Sequence, residues 1–324
     1  MTAPLSLLQL DTLIGPNIYS PHAGVFLSVT PSSAAERLLL TIKELAQAVG
    51  LVIGAPQPQA GRSTGPATLP LFVPTADPAL AADLCRAAVA EINTALTAAD
   101  AADDADPPAY DAAEVRWQLQ RRRRRNAPPL RALQLLADAR RRDLLARLLP
   151  DGSLLLGSGR AGLRISPAQL ADDPPSIPDW PAIGHVPIVA VSGADRRAAA
   201  ARITAELHLP LLADPSPDTV LAALADADCR GLVLTFPTAD LLSRGLPISF
   251  CHAAVVTDAA EPCPADVPRQ AWLDAVGLPV LIARGPVLIG RDPQLQRLSA
   301  FAAAGSNAWP PEGPSCFPDL RPLY

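Results

Sequence analysis

The sequence predicts an α+β domain at the N-terminus followed by an α/β domain built on a mostly parallel sheet. Three observations lead there. Strands and amphipathic helices mix without strict alternation over residues 5–165, a Pro-rich connector interrupts the chain at 166–187, and from Ile188 short apolar strands alternate with helices of modest length. The expected organisation is a first domain at 1–165, a linker at 166–187, a second domain at 188–305 and an irregular tail at 306–324.

In the first domain, Leu5 to Leu13 reads as a strand that ends in the turn Gly15-Pro16-Asn17, and Gly24 to Thr30 reads as its neighbour. Ser32 or Ser33 is positioned to cap a helix carrying Glu36 to Val49, where Leu38, Leu39, Ile42, Leu45 and Val49 make one apolar face. "ATLPLFVPT" predicts another strand, and Asp77-Pro78 opens a helix with Pro in its first turn. Thr97 to Asp111 is acidic and low in complexity, as an exposed loop would be.

The stretch from Arg116 to Arg147 holds eleven arginines against Asp138 and Asp143. After Pro128-Pro129, its leucines at 130, 133, 136, 144, 145 and 148 fall at helical spacing. "GSLLLGSGRAGLRIS" predicts a hairpin that turns at Gly-Ser-Gly and closes the first domain. In the second domain, strands are expected at "IVAVS", "LPLLA", "GLVLTF", "AAVVTD" and "LPVLIA". Helices are expected at Arg196 to Leu207, Asp218 to Ala225, near Leu241, and at Val267 to Val276.

Composition excludes several function classes. A chain of 324 residues with 49% hydrophobic content can bury a sizeable core. No apolar run reaches the roughly 18 uncharged residues of a membrane helix, and no basic segment with an apolar core opens the chain, so a cytoplasmic protein without membrane contact is expected. Five scattered cysteines without a C-x-x-C pair read as free thiols. The four histidines never share a helix face, and the adjacent Cys251 and His252 point to opposite sides of a strand, so neither a metal nor another cofactor is expected. Of the 27 basic residues only Lys43 is lysine, which removes lysine chemistry from everything after it.

The motif that raises a functional question is "VPIVAVSGADRRAAAARITAEL". It has the layout of a strand, turn and helix that bind a nucleotide, yet without the residues that grip a phosphate. Around it the layout resembles the cyanophycin synthetase family, bacterial ligases that polymerise aspartate and arginine using ATP. The likeness runs through "LDTLIGPNIYS", "KELAQAVG", "LPLFVPTADPALAADLCRAAVAEI" and "LLLGSGRAGLRI", and covers most of Leu5 to Ile165. In the family an ATP-grasp domain follows, then a Mur-ligase-like domain opening on Thr-Gly-Thr-Asn-Gly-Lys-Thr. Here the connector leads directly to the second of these, so the resemblance implies that the ATP-grasp domain is missing and that the α/β domain is a degenerate Mur-ligase-like, P-loop-like one.

A phosphate loop needs glycine for close backbone approach, lysine to neutralise charge and a hydroxyl to hold Mg²⁺. In this alignment Gly193 is kept, but Arg196 stands at the glycine, Arg197 at the lysine and Ala198 at the hydroxyl. Arg197 can still meet a phosphate electrostatically, whereas Ala198 cannot ligate a metal. Downstream, Thr235 stands at the family's metal-binding glutamate, Ala239 and Asp240 at a Gly-Gly pair, and Asp258 at an asparagine. Some family members also resemble metallohydrolases through a His, Glu, His cluster; the matching helix offers Glu36 between Ser33 and Arg37, so no such centre is expected.

Together these features imply a non-catalytic pseudoenzyme that binds a full-length cyanophycin synthetase, a second copy of itself or the cyanophycin polymer. Two alternatives stand beside it. One is a ligase or hydrolase with a re-purposed site in the α/β cleft; the other is a polyanion or nucleic-acid binder working through Arg121, Arg122, Arg123, Arg124 and Arg125. Nucleic acid is the less favoured of those anions because the net charge is -5. A solvated helix face balanced by the preceding acidic segment is the favoured account of the arginine run.

Overall fold

The computed structural model describes residues 4–59, 68–100, 110–172, 177–257, 262–265 and 267–290. The predicted tail, residues 101–109 of the acidic segment, Asp258 and Cys316 lie outside them. Two compact units form: Met1–Ala127 with Leu242–Leu246 and Pro264–Ala271, and Pro128–Leu241 with Pro247–Cys263 and Trp272–Tyr324.

The first unit is α+β. Strand β1 (Ser6–Leu13) pairs antiparallel with β2 (Gly24–Thr30), after which come helix α1 (Ala35–Val49), the short β3 (Gln57–Pro58), β4 (Leu69–Pro74), α2 (Pro78–Asp100) and α3 (Ala112–Asn126). The antiparallel sheet has the order β1-β2-β4-β3. β2 lies inside it and is buried almost throughout, so Val25, Leu27 and Val29 join Leu71 and Val73 of β4 in a core closed by α1 and α2. Leu38, Ile42, Leu45 and Val49 are the buried face of α1, as their spacing predicts, with Leu39 partly buried beside them.

The start of α1 differs from expectation. Ser32–Ala34 form a separate 3₁₀ turn, and neither serine caps the helix, whose N-cap is Ala34 without a side-chain bond. The other end follows a familiar rule: Gly50 takes φ 74 and its N–H bonds to Ala46 and Gln47 carbonyls.

The Gly15-Pro16-Asn17 turn is organised by one buried side chain. Asn17 Nδ2 donates to the carbonyls of Gly15 and His22 at 2.9 Å each, while its Oδ1 accepts from the N–H groups of Tyr19 and Ser20. Tyr19 then stacks on Phe26 at 4.6 Å, and Leu246 N–H bonds to Pro16 O at 2.8 Å. His22 remains exposed on that loop.

The second unit opens with α4 (Leu130–Arg141), packed on an antiparallel sheet of β5 (Ala146–Leu148), β6 (Leu154–Leu156) and β7 (Leu163–Ile165). The predicted leucine stripe is corrected here. α4 buries Ala132, Leu135 and Ala139, leaving Leu130 and Leu133 exposed, and the chain leaves the helix at Asp143, φ 57. Residues 146–148 are therefore a strand, whose Arg147 pairs with Leu155 of β6. The hairpin between β6 and β7 turns at Gly157-Ser158-Gly159 as expected, but it belongs to the second unit and does not close the first. Gly157 has φ 72, and a Cβ there would lie 2.3 Å from Gly184 O.

The α5 turn (Pro167–Leu170) leads toward the parallel sheet. Its elements are β8 (Ile188–Ser192), α6 (Arg196–Leu207), β9 (Leu211–Leu212), α7 (Pro217–Ala225), β10 (Leu232–Phe236), α8 (Thr238–Arg244), β11 (Ala253–Val256), α9 (Arg269–Val276), α10 (Leu278–Leu281) and β12 (Val287–Ile289). The strand order β12-β11-β8-β10-β9 is parallel at every pairing, which makes this unit's sheet α/β in character. "LPVLIA" is helix α10 rather than a strand. Gly277 and Pro279 favour a turn start there, and Leu278 and Val280 are buried; only Ala283, at the end of the segment, bridges to Cys251, and the last strand lies further on, at Val287.

Beside β8 and β11 sits a histidine cluster. His185 and His252 both contact Phe250, Arg284 lies 4.0 Å over the Phe250 ring, and Arg284 in turn pairs with Asp143 at 2.5 Å. His252 Nδ1 accepts the Ile188 N–H at 3.1 Å. Burial, then the proximity of His185 and Arg284, pushes His252 down to about 4. A histidine that resists its proton when folded takes it up more readily unfolded, so stability falls as pH drops from the ordinary value of 6.5 toward about 4. The urea midpoint is expected to fall between about pH 7 and about pH 5, and His252→Asn, which keeps an acceptor for Ile188, to flatten that fall. Identical slopes in the two proteins would remove His252 from the account.

Candidate functional site

In an open α/β sheet, ligands meet the chain where strand order reverses, beyond the carboxyl ends of the strands. Here that point is β8, which has β10 on one side and β11 on the other. The turn leaving it carries the motif singled out in the sequence.

Gly193 begins the turn with φ 95, and a Cβ there would lie 2.5 Å from both the carbonyl and hydroxyl oxygens of Thr257. Glycine is required on both counts. Thr257 locks the turn to the sheet: its N–H and hydroxyl donate to Ser192 O at 2.9 and 3.0 Å, and its hydroxyl accepts the Asp195 N–H at 3.1 Å. Ser192 hydroxyl, wholly buried, donates to Val276 O at 2.6 Å.

The two arginines that follow converge on Asp214, just beyond β9. Arg196 Nε lies 3.0 Å from Asp214 Oδ1, while Arg197 donates to Oδ2 through Nε at 3.0 Å and through Nη2 at 2.5 Å. Thr235, buried at the end of β10, donates its hydroxyl to Asp214 Oδ1 at 2.9 Å and accepts the Asp214 N–H at 2.8 Å. Burial raises the Asp214 carboxyl, but the hydrogen bonds from Arg196, Arg197 and Thr235 outweigh it and hold the group below the usual carboxylate range. Ala198 is exposed on the first turn of α6.

Gly193, Arg196, Arg197 and Ala198 are therefore brought together as their spacing implies. The residue that sequence reading passes over is Asp214. Its signal was modest: an aspartate closing a short apolar strand, before the Ser216-Pro217 start of α7. Thr235 anchors this carboxylate. A separate cavity of about 390 Å³, lined in part by Leu149, Arg164, Leu221 and Asp226, shares none of these residues.

The arginine run occupies the last turns of α3, whose Leu119 enters the core of the first unit. Its members differ. Arg122 pairs with Asp83 of α2, the guanidinium of Arg123 lies against Gly50 at the C-terminus of α1, and Arg121 sits 5.3 Å over the Trp117 ring. Gln120 adds a bond to Ala48 O at 2.8 Å. Arg124 and Arg125 are exposed. The run thus serves helix packing at two positions at least, where a cation near the carbonyl end of α1 is also favoured by the helix dipole.

The model of a family described as "Domain of unknown function (DUF4938)" matches residues 4–309. The chain belongs to that family. The match runs through residues of both compact units. No curated protein matches the chain. Among the described residues, no group of His, Cys, Asp and Glu could hold a metal ion, and no helix is long and apolar enough to cross a membrane.

Two outcomes follow for this DUF4938 member. Gly193→Ala, strained in φ and crowded against Thr257, is expected to cost more than about 1 kcal/mol and to lower the melting temperature; a neutral effect would contradict the locked turn. In the arginine run, Arg122→Gln and Arg123→Gln should each cost about 0.2–1 kcal/mol, against nothing measurable for Arg124→Gln and Arg125→Gln. Equal denaturation midpoints across all four would return the run to a uniformly solvated face.

Proposed function

We propose that this chain is a non-catalytic, cyanophycin-synthetase-like protein that assembles with an active synthetase. The α/β part expected at 188–305 is read as a degenerate Mur-ligase-like domain. The observation that carries the reading is the state of the turn after β8. The positions aligned with the phosphate-gripping glycine and lysine hold Arg196 and Arg197, and both guanidiniums are engaged by Asp214. A nucleotide's phosphates would have to displace a bonded carboxylate, and would find Ala198 in place of a Mg²⁺-holding hydroxyl.

What is kept supports a binding role. The core of the α/β sheet, the Gly193 turn and the Asn17-centred loop of the first unit are intact and well bonded. Surfaces on which homologous domains pack survive the loss of chemistry more readily than the chemistry itself, because packing tolerates substitution that catalysis does not. A cytoplasmic setting goes with this reading, as do the unpaired thiols of Cys85, Cys229 and Cys251, all buried. The reading rests on family resemblance for its partner, and on the turn for its lack of activity.

Calorimetry with ATP·Mg²⁺ at millimolar concentration is expected to show no saturable heat, and a micromolar dissociation constant would overturn the non-catalytic assignment. Coexpression with a full-length synthetase is expected to give one co-eluting species on size exclusion. Separate elution at micromolar concentration, with synthetase activity unchanged, would remove the partnership.

A further inference from the structure

We propose that the turn after β8 is an oxyanion seat occupied by the chain's own Asp214 carboxylate, an autoinhibitory contact that excludes free phosphate groups. The geometry is that of a bound anion. Three donor nitrogens from two arginines reach its two oxygens at 2.5–3.0 Å, and Thr235 hydroxyl adds a fourth donor at 2.9 Å. Guanidinium forks hold carboxylate and phosphate by the same planar hydrogen bonding, so the two anions compete for one place.

The seat has an inner and an outer side. Arg196 and Asp214 are nearly enclosed, with side chains 14% and 15% exposed, whereas Arg197 is 71% exposed. A soluble anion can therefore reach Arg197 directly, and Arg196 only once the carboxylate has moved or lost its charge. Asp214 is tied in place by more than charge. Its backbone takes φ 47, and its N–H is bonded to Thr235, so the carboxylate is delivered by the main chain and not by a freely rotating surface side chain. Intramolecular placement gives it a high effective concentration against any free ligand.

Removing the charge while keeping the shape opens the seat. Asp214→Asn removes the negative charge from beside both guanidiniums, and an added anion can restore it. The ligand class is a phosphate-bearing anion, which inorganic pyrophosphate and ATP both represent. The reading does not depend on the proposed partnership, because it is measured as the difference between variant and unaltered chain.

The test is calorimetric titration of pyrophosphate, and separately of ATP without metal, into the full chain and its variants at low ionic strength. Asp214→Asn is expected to bind pyrophosphate about tenfold or more tighter than the unaltered chain, and to recover lost melting temperature as pyrophosphate is added. Adding Arg197→Gln to that variant should abolish the gain. Thr235→Val, which loosens the carboxylate without removing it, should give a smaller gain and serves if Asp214→Asn does not fold. Similar affinities for pyrophosphate and ATP support a seat for phosphate alone, and a tighter ATP supports one that also accepts a nucleotide. Absence of any gain in Asp214→Asn and Thr235→Val, or a gain that survives Arg197→Gln, overturns the proposal.

Discussion

The carboxylate of Asp214 is the point on which the candidate site depends. It receives Arg196 and Arg197 from the first turn of α6, and Thr235 from the end of β10. Elements distant in sequence are thereby joined at the carboxyl edge of the parallel sheet. Two guanidiniums side by side on one helix turn would otherwise repel, and Arg196 is too enclosed for water to screen it well. The negative charge is thus a structural requirement created by the arginines themselves.

That requirement is met without disturbing the backbone of the turn after β8. The backbone course of the turn rests on Gly193 and on Thr257, which bonds to both Ser192 and Asp195. None of these contacts needs a ligand. Charge balance, which a bound phosphate could have supplied, comes from inside the chain. The net result is a turn satisfied in the free protein, and such a turn gains little from binding another anion.

The first unit shows a related economy with its arginines. α3 is rich in charge yet packs on α1 and α2, because Leu119 enters the core while Arg122 and Arg123 find Asp83 and the end of α1. A run that reads as a patch for an acidic partner is thus partly internal structure. Long side chains can lie along neighbouring helices and keep their charged ends wet, so a basic stretch in sequence need not be a basic patch on the surface.

The sequence by itself determined that an antiparallel α+β part precedes a parallel sheet, although it divided them at 165 where the compact units divide at Ala127. Apolar runs bounded by turn residues marked β1, β2 and β4, helical spacing marked α1, Asp77-Pro78 marked the start of α2, and the apolar runs at Ile188, Leu232 and Ala253 marked the inner strands of the parallel sheet. Short apolar runs carry no period, and there the tertiary structure decided: Leu278 to Leu281 became helix α10 because no strand edge received it, and 146–148 became a strand because β6 did. Asp214 was decided the same way. Nothing local distinguishes it from other aspartates after a strand; its role arises when the β8-α6 and β9-α7 crossovers bring positions 18 residues apart within hydrogen-bonding distance. Local pattern fixes what an element is, while the pairing of buried or half-buried charges depends on which strand ends the sheet order sets side by side.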